Sequence, residues 1–262
     1  MALRSVSLIS LTAAFVIVGA GSSTAAAPAT HDANRPALKP GDSRVIPFVR
    51  EGLRARFPRL QPGEGIGFER RSVLSAGETH SLANAGAFLE PKLRRSDEQA
   101  LARVRLPLTA DGPFSVTDLR SGRRADIRLL DTRPVAPHLE DGIVVYERAV
   151  NGGTWLHRVT RAGTEDFVLF RSRTETTNAL HYELRPERAL LGLRLVGKTL
   201  GMLPSSGNPM LRASPPGLIG SNGTVREAKL SVLDCAFDTS TGASWGRAIT
   251  PRGKETCTVR VS

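Results

Sequence analysis

A run near the C-terminus, Gly242-Ala243-Ser244-Trp245-Gly246, matches the G-x-S-x-G pattern that presents the nucleophilic serine of α/β-hydrolases. In that family the histidine that takes the serine proton follows the serine in the chain, but the last histidine here is His181. The pattern also needs a strand, a sharp turn and a helix, whereas this run lies among Gly, Ser and Thr residues. We therefore interpret Ser244 as a loop residue and predict no catalytic role for it.

A second run, Phe237-Asp238-Thr239-Ser240, resembles the active-site loop of pepsin-like proteases. Those enzymes need a Gly directly after Asp-Thr, and they need a second copy so that two carboxylates share one proton. Ser240 stands in place of the Gly, and the other Asp-Thr pair, Asp131-Thr132, is followed by Arg133. We predict that Asp238 stabilises a turn.

The spacing of the remaining polar residues supports neither a metal site nor a cofactor site. Histidines occur at five scattered positions: His31, His80, His138, His157 and His181. The paired acids Glu140-Asp141 and Glu165-Asp166 could serve a glycosidase. Adjacent strand residues face opposite sides, however, so we interpret both pairs as turn and edge residues. The sequence predicts no catalytic residue, no metal and no cofactor.

Cys235 and Cys257 are the only cysteines in the chain. A redox or nucleophilic pair favours C-x-x-C spacing or a neighbouring histidine, and neither is present. We predict a structural disulfide between two strand ends, worth roughly 3 kcal/mol in the chain-entropy model. The bridge would pin the C-terminal strand and fix the roots of the loop that carries Ser244 and Trp245. We expect the tip of that loop to be mobile.

Residues 1–26 have the layout of a secretory signal peptide. Arg4 supplies the positive charge, residues 8–20 form an apolar core, and small residues follow. A core of 13 residues is shorter than the roughly 20 that a membrane-spanning helix needs. We predict cleavage after Ala25 or Ala26, no transmembrane segment in the mature chain, and a secreted, periplasmic or cell-surface location.

The rest of the chain divides by composition into three segments. Residues 27–62 read as a linker and basic arm, in which residues 49–57 allow a short amphipathic helix between two prolines. Residues 63–133 and 134–262 read as two β-rich halves, joined at the Pro-rich run 133–137.

Short alternating apolar and polar runs, ended by Gly, Pro, Asp or Ser, predict antiparallel strands in both halves. These runs span residues 65–71, 102–108, 114–119, 125–130, 143–149, 155–160, 166–171, 180–185, 192–196, 199–203, 210–213, 228–234 and 257–261. Turns at 151–153, 162–164 and 197–198 predict hairpins and a β-meander. A helix at 96–104 competes with the strand from Ala102. We predict an all-β protein, either one antiparallel β-sandwich or two in tandem.

The net charge is +11, and only 5% of the residues are aromatic. The basic residues are spread along both halves and do not alternate with aromatic residues, so we predict no specific nucleic-acid partner. Attraction to an anionic polysaccharide through the summed positive field is the partner class that the charge allows. The alternative is that arginines simply cover a solvated surface.

Together these observations favour a secreted, non-catalytic structural or interaction module of the cell envelope or extracellular space. The alternative is a carbohydrate-active protein, either a lectin-like binder or a hydrolase. Its stacking platforms would be Tyr146, Trp155 and Trp245, because aromatic side chains supply large apolar faces with a polar tip.

Several short motifs follow one another in a recognisable order. A Val-Val-Tyr run at 144–146 precedes a Gly turn and the run Gly-Thr-Glu-Asp at 163–166; P-x-L-R-x-x-P-P follows at 209–216. A cysteine pair then flanks Asp-Thr-Ser and Trp-Gly-Arg. This order resembles the N-terminal β-rich segment of large secreted surface proteins of Gram-negative gliding soil bacteria. The resemblance implies a module without catalytic residues that often precedes Kelch-like or RHS-type repeats, and this chain is expected to be a stand-alone relative or part of a longer protein.

Overall fold

The computed structural model describes residues 9–11, 65–71, 88–93, 100–140, 142–151, 153–170, 179–219 and 225–262. The predicted cleavage site and the basic arm with its short helix lie outside these segments.

The described residues form eighteen β-strands and no helix, which confirms the predicted all-β class. In chain order the strands are β1 (Ile9–Leu11), β2 (Gly65–Arg71), β3 (Phe88–Leu93), β4 (Ala102–Pro107), β5 (Phe114–Asp118), β6 (Arg124–Leu129), β7 (His138–Glu140), β8 (Ile143–Val150), β9 (Gly153–Thr160), β10 (Gly163–Leu169), β11 (Leu180–Pro186), β12 (Leu190–Val196), β13 (Thr199–Pro204), β14 (Leu211–Ala213), β15 (Gly217–Ile219), β16 (Val225–Glu227), β17 (Leu230–Val232) and β18 (Cys257–Val261). Each predicted strand overlaps an observed one, whereas the sequence pattern does not predict β1, β3, β7, β15 and β16.

The largest sheet has eight antiparallel strands in the order β17-β18-β11-β6-β5-β4-β3-β2. Buried and less buried residues alternate along β6 and β11, so one face packs on the core and the other carries charged pairs such as Arg128 with Glu183 at 3.0 Å. Because β6 pairs with β11, this sheet takes strands from both sides of residue 133. The predicted division at that residue therefore does not separate two sheets.

Strands β7 to β10 form a second antiparallel sheet in which each strand pairs with the next along the chain, as the predicted meander requires. Residues on both faces of β8, β9 and β10 are buried along most of their length, so this sheet is an inner layer. A register shift interrupts the pairing between Tyr146 and Val150, and Arg148 inside it has a φ of 53°.

A third sheet has the order β1-β14-β13-β12, with β1 parallel to β14 and the other pairs antiparallel. Gly197 and Lys198 join β12 to β13, and both have positive φ, as a two-residue type I′ hairpin requires. Strand β1 lies within the predicted signal peptide. Strands β15 and β16 form a separate two-stranded ribbon.

The helix considered at residues 96–104 is wrong at its C-terminal end, because Ala102 to Val104 belong to β4. Strand geometry turns Ala102, Val104 and Leu106 into the core, where all three are at most 5% exposed. Burial of this apolar face outweighs the helix-capping signal that precedes it.

The sheets pack face to face around one continuous hydrophobic core, the arrangement of a β-sandwich. Aromatic contacts join the eight-stranded sheet to the meander, with the rings of Phe114 and Trp155 6.1 Å apart. The Tyr146 ring stacks on Trp155 at 5.2 Å, and its hydroxyl donates a hydrogen bond to the Pro107 carbonyl at 2.6 Å.

Candidate functional site

The disulfide prediction is confirmed: Cys235 and Cys257 are bonded, and their Cα atoms are 5.5 Å apart. The bond closes a loop between β17 and β18. Beside it the Asp234 carboxylate accepts hydrogen bonds from the backbone N–H and the hydroxyl of Thr258. These bonds, the backbone one foremost, hold the pKa of Asp234 below its usual value.

The loop lies along β12, the edge strand of the third sheet. Leu195 donates its N–H to the Asp238 carbonyl at 2.8 Å, and Asp238 donates to the Leu193 carbonyl at 2.9 Å. Further along, the Arg252 N–H donates to the Leu191 carbonyl at 3.1 Å. The loop thus hydrogen-bonds to backbone groups that an open sheet edge would leave unpaired.

Two side chains hold the first half of the loop. The Asp238 carboxylate accepts the Ser240 N–H at 2.9 Å, so the predicted turn at Asp238 is confirmed. The Arg194 guanidinium donates to the carbonyls of Ser240, at 2.8 Å, and Gly242. Asp238 also pairs with the guanidinium of Arg247. This half of the loop is therefore fixed by charged side chains as well as by backbone pairing.

Two glycines let the loop approach the sheet closely. A side chain on Gly192 would meet Ile249 at 2.5 Å and the Thr250 carbonyl at 2.7 Å. A side chain on Gly207, whose φ is +77°, would collide with the Ser244 carbonyl. These close approaches hold parts of the loop against the sheet, and the mobility of its tip stays a prediction.

Ser244 is buried at 1% exposure, and its Oγ makes no hydrogen bond with any residue that the structure describes. A serine nucleophile needs a hydrogen-bonded base and access to substrate, and Ser244 has neither in this structure. Its backbone carbonyl instead sits against Gly207. The G-x-S-x-G run is thus a loop segment in which Ser244 is buried and the other four residues are exposed.

Directly after buried Ser244, the side chain of Trp245 is 59% exposed, more than any other large hydrophobic side chain among the described residues. Arg247 lies two positions further on. Arg194 and Arg212 both lie opposite Gly201 across three neighbouring strands, which places them on one face. We call the set formed by Arg194, Arg212, Asp238, Trp245 and Arg247 the Trp245 surface.

Comparison with known proteins adds nothing to this geometry. No protein-family model, curated protein or solved structure matches this chain.

Neither a metal cluster nor a membrane-spanning helix is present in the described part of the chain. No group of three or more His, Cys, Asp or Glu side chains there is arranged to hold a metal ion. No helix there is long and apolar enough to cross a membrane.

Two of the three predicted stacking residues lie in the core. Tyr146 and Trp155 are each 0% exposed, so neither can offer a ring face to a ligand at the surface, and their assignment as platforms is wrong. Trp155 sits on the inward face of β9 against Phe114 and His157. Only Trp245 of the three remains available for stacking.

Sequence reasoning misses a buried polar cluster beside Trp155. His157 and Asp166 lie opposite each other on β9 and β10 and are 0% and 2% exposed. The Asp166 carboxylate accepts a hydrogen bond from the Tyr182 hydroxyl at 2.9 Å, and His157 Nδ1 lies 3.3 Å from the Thr164 hydroxyl. The alternation Trp155-x-His157 and Thr164-x-Asp166 is the sequence signal for this shared inward face. Asp166 thus lies on an edge strand, as predicted, but within the strand and with its side chain buried in the core rather than at a turn.

Burial governs the ionisation of this cluster. It raises the pKa of Asp166 to about 7, against the opposing effect of the Tyr182 hydroxyl. It lowers the pKa of His157 to about 3. Asp166 is therefore mainly protonated below pH 7, and His157 is mainly neutral above pH 3.

The cavity beside this cluster is too small to make it a ligand site. It has a volume of about 40 Å³ and is lined by Asp166, Tyr182 and apolar residues of the eight-stranded sheet and the third sheet. Organic ligands occupy pockets of roughly 300 Å³ or more. We therefore assign His157, Asp166 and Tyr182 to the core, where they form a polar link between sheets.

Proposed function

We propose that this chain is an exported, non-catalytic interaction module that binds an anionic polysaccharide through the Trp245 surface. The observation that carries the proposal is the position of Trp245: a large aromatic side chain, 59% exposed, on a loop that hydrogen-bonds to strand β12. Exposed aromatic side chains are enriched at binding surfaces, where one face packs on the partner.

The fixed loop favours binding because little conformational freedom remains to be lost. Ser244, the residue before Trp245, is buried against Gly207, and the Gly242 carbonyl is held by Arg194. A binding residue on such a preorganised backbone pays a smaller ordering entropy than one on a free loop. The disulfide further restricts the loop, because it joins the two residues at which the loop begins and ends.

The charge of the Trp245 surface favours an anionic partner. It contains three arginines against the single carboxylate of Asp238, which already contacts Arg194 at 3.7 Å and pairs with Arg247. Arg212 adds a positive charge close enough to Arg194 that burial and this neighbour together lower the pKa of Arg212. Guanidinium groups bind carboxylates and sulfates through paired hydrogen bonds, and the net charge of +11 adds a long-range attraction.

Export is consistent with the chemistry of the chain. The apolar core of residues 8–20 and the small residues after it support a signal peptide. The disulfide supports an oxidising compartment, because such bonds are rare where thiols are kept reduced. A polysaccharide at the cell surface or in the surrounding matrix is a partner found in that compartment.

The proposal is tested by titrating the exported chain with heparin, polygalacturonate and neutral dextran at low salt. We expect binding to heparin and polygalacturonate, weakening as salt is raised, and none to dextran. Trp245→Ala and Arg247→Gln should each weaken binding about five- to tenfold, the effect of losing an aromatic contact or a charge-assisted hydrogen bond.

Leu233→Ala is the matched control, because Leu233 is also a largely exposed apolar residue, at 53%, but lies outside the Trp245 surface. Its binding should equal that of the wild type. Binding that is unchanged in both Trp245→Ala and Arg247→Gln, or equal binding to dextran, would contradict the proposal.

A further inference from the structure

We propose a second binding site, independent of the Trp245 surface, in a cleft between the eight-stranded sheet and the meander. We infer that it takes a small zwitterion with an aliphatic side chain, the chemistry of a free α-amino acid such as leucine. The cleft has a volume of about 310 Å³ and shares no residue with the Trp245 surface.

Three aliphatic residues belong to the described lining of the cleft. They are Leu130, Val150 and Leu180, of which the latter two are almost fully buried. Leu130 donates its N–H to the His181 carbonyl at 2.8 Å, and a β-bridge joins Thr132 to Val150 across the two sheets. Backbone hydrogen bonds therefore fix the positions of the walls.

Four polar residues also line the cleft: Asp131, Asn151, His181 and Arg260. None of them makes a side-chain hydrogen bond or ion pair with the described part of the chain. Elsewhere on the sheet surface, by contrast, Arg128 pairs with Glu183 and Arg123 with Glu187. A cleft lined by apolar residues and a few uncommitted polar groups is the usual form of a small-molecule site.

Two of these residues lie where the chain turns. Asp131 has a φ of 58° and Asn151 a φ of 43°, the left-handed region that Asp and Asn enter more readily than most side chains. Asn151 follows β8 in the short connection to β9, and turns of this kind require a positive φ. Both side chains line the same cleft although twenty residues separate them in the chain.

The two opposite charges define the ligand. Arg260 offers a guanidinium that suits a carboxylate, and Asp131 offers a carboxylate that suits an ammonium group. Because neither side chain pairs with a described residue, the two together suit a molecule that carries both charges. The aliphatic residues of the lining would then contact an apolar side chain. The described lining residues include no Phe, Tyr or Trp, which disfavours a sugar that stacks on an aromatic ring.

The test is isothermal titration of the exported chain with L-leucine, leucinamide, N-acetyl-L-leucine and glucuronate. Leucinamide lacks the carboxylate and N-acetyl-L-leucine lacks the ammonium group. We expect leucine to bind and each of the other three to bind about tenfold more weakly or less, because one charge-assisted contact is lost. Absence of leucine binding, or equal binding of leucine and glucuronate, would overturn the proposal.

Two variants assign the charges to residues. Arg260→Gln should abolish the preference for leucine over leucinamide, and Asp131→Asn should abolish the preference for leucine over N-acetyl-L-leucine. Asparagine tolerates the positive φ at position 131, so that variant keeps the turn. Arg120→Gln, in an exposed turn outside the cleft, is the matched control and should bind all four compounds like the wild type. Both preferences persisting unchanged in Arg260→Gln and Asp131→Asn would contradict the assignment.

Discussion

Tyr182 on β11 donates a hydrogen bond from its hydroxyl to Oδ2 of Asp166 on β10, at 2.9 Å, and so joins the eight-stranded sheet to the meander inside the core. Both side chains are buried. Apolar side chains would fill this space with less desolvation. The bond instead fixes how the two sheets lie on each other, at the expense of a carboxyl group that ionises with difficulty.

The Asp166 carboxyl makes stability depend on pH. Its pKa is raised from 3.8 to about 7, so between these values the folded chain holds a proton that the unfolded chain releases, and the contribution of Asp166 to stability falls as pH rises. Asp166→Asn keeps an acceptor for Tyr182 and removes this dependence. Relative to wild type, its free energy of unfolding in urea should rise by roughly 4 kcal/mol from pH 4 to pH 8. The account would be contradicted if the difference in unfolding free energy between Asp166→Asn and wild type did not change with pH. It would also be contradicted if the exposed control Asp111→Asn showed an equally large change.

The ionisation of His157 changes stability with pH in the opposite direction. Burial lowers its pKa from 6.5 to about 3, so the unfolded chain binds a proton that the folded chain does not, and stability is lost as pH falls through this range. In the wild type the two slopes oppose each other between about pH 4 and 6.5. Asp166→Asn should therefore lose stability from pH 6.5 to pH 4, as measured by urea unfolding, while the wild type changes less. A steeper loss in the wild type would refute the account.

The disulfide should act as a single unit. Cys235→Ser and Cys257→Ser each remove the same bond, so we expect each to lower the free energy of unfolding by roughly 3 kcal/mol. The double variant should be no less stable than either single one. Urea unfolding of the three variants checks this, and thiol titration of the native exported protein should find no free thiol. Additive losses would show that the two residues stabilise the chain separately.

Gly207 should be intolerant of a side chain because the Ser244 carbonyl occupies the space. We expect Gly207→Ala to lower the free energy of unfolding by about 1–3 kcal/mol more than the control does and to shift the loop that carries Trp245. The control is Gly122→Ala, whose φ of +72° matches but whose side chain would meet nothing within 4 Å. Equal losses in the two variants, measured by denaturant unfolding, would show that only backbone conformation matters.

Export predicts the N-terminus of the mature protein. Cleavage after Ala25 or Ala26 should give a chain that begins at Ala26 or Ala27, as read by mass spectrometry of the exported protein. This cleavage removes β1 and leaves β14 without a partner on that side. An exported chain that still begins at Met1 or Ala2 would exclude the signal peptide.

The strands of the fold are largely predictable because alternation records which residues face the core. The strands at residues 65–71 and 257–261 begin and end where the sequence pattern places them. Pairing between distant strands is not readable in the same way. The strands β6 and β11 are neighbours in one sheet although they lie far apart in the chain, and local alternation carries no information about such pairing.

The candidate sites show the same limit. The disulfide and the Asp238 turn follow from residue type and local spacing. The burial of Trp155 does not, because its exposure depends on a second sheet that covers the face of β9. The cleft around Asp131 and Arg260 brings together residues that are far apart in the chain, so no local sequence motif predicts it.

The most direct measurement of the proposed function uses the two tryptophans of the chain, one exposed and one buried. In ¹H–¹⁵N spectra of the exported protein, each indole N–H gives one signal. Titration with a heparin oligosaccharide should move the Trp245 signal and leave that of Trp155 in place, while a neutral dextran oligosaccharide moves neither. An unmoved Trp245 signal at saturating heparin oligosaccharide would contradict the proposal that this surface binds an anionic polysaccharide.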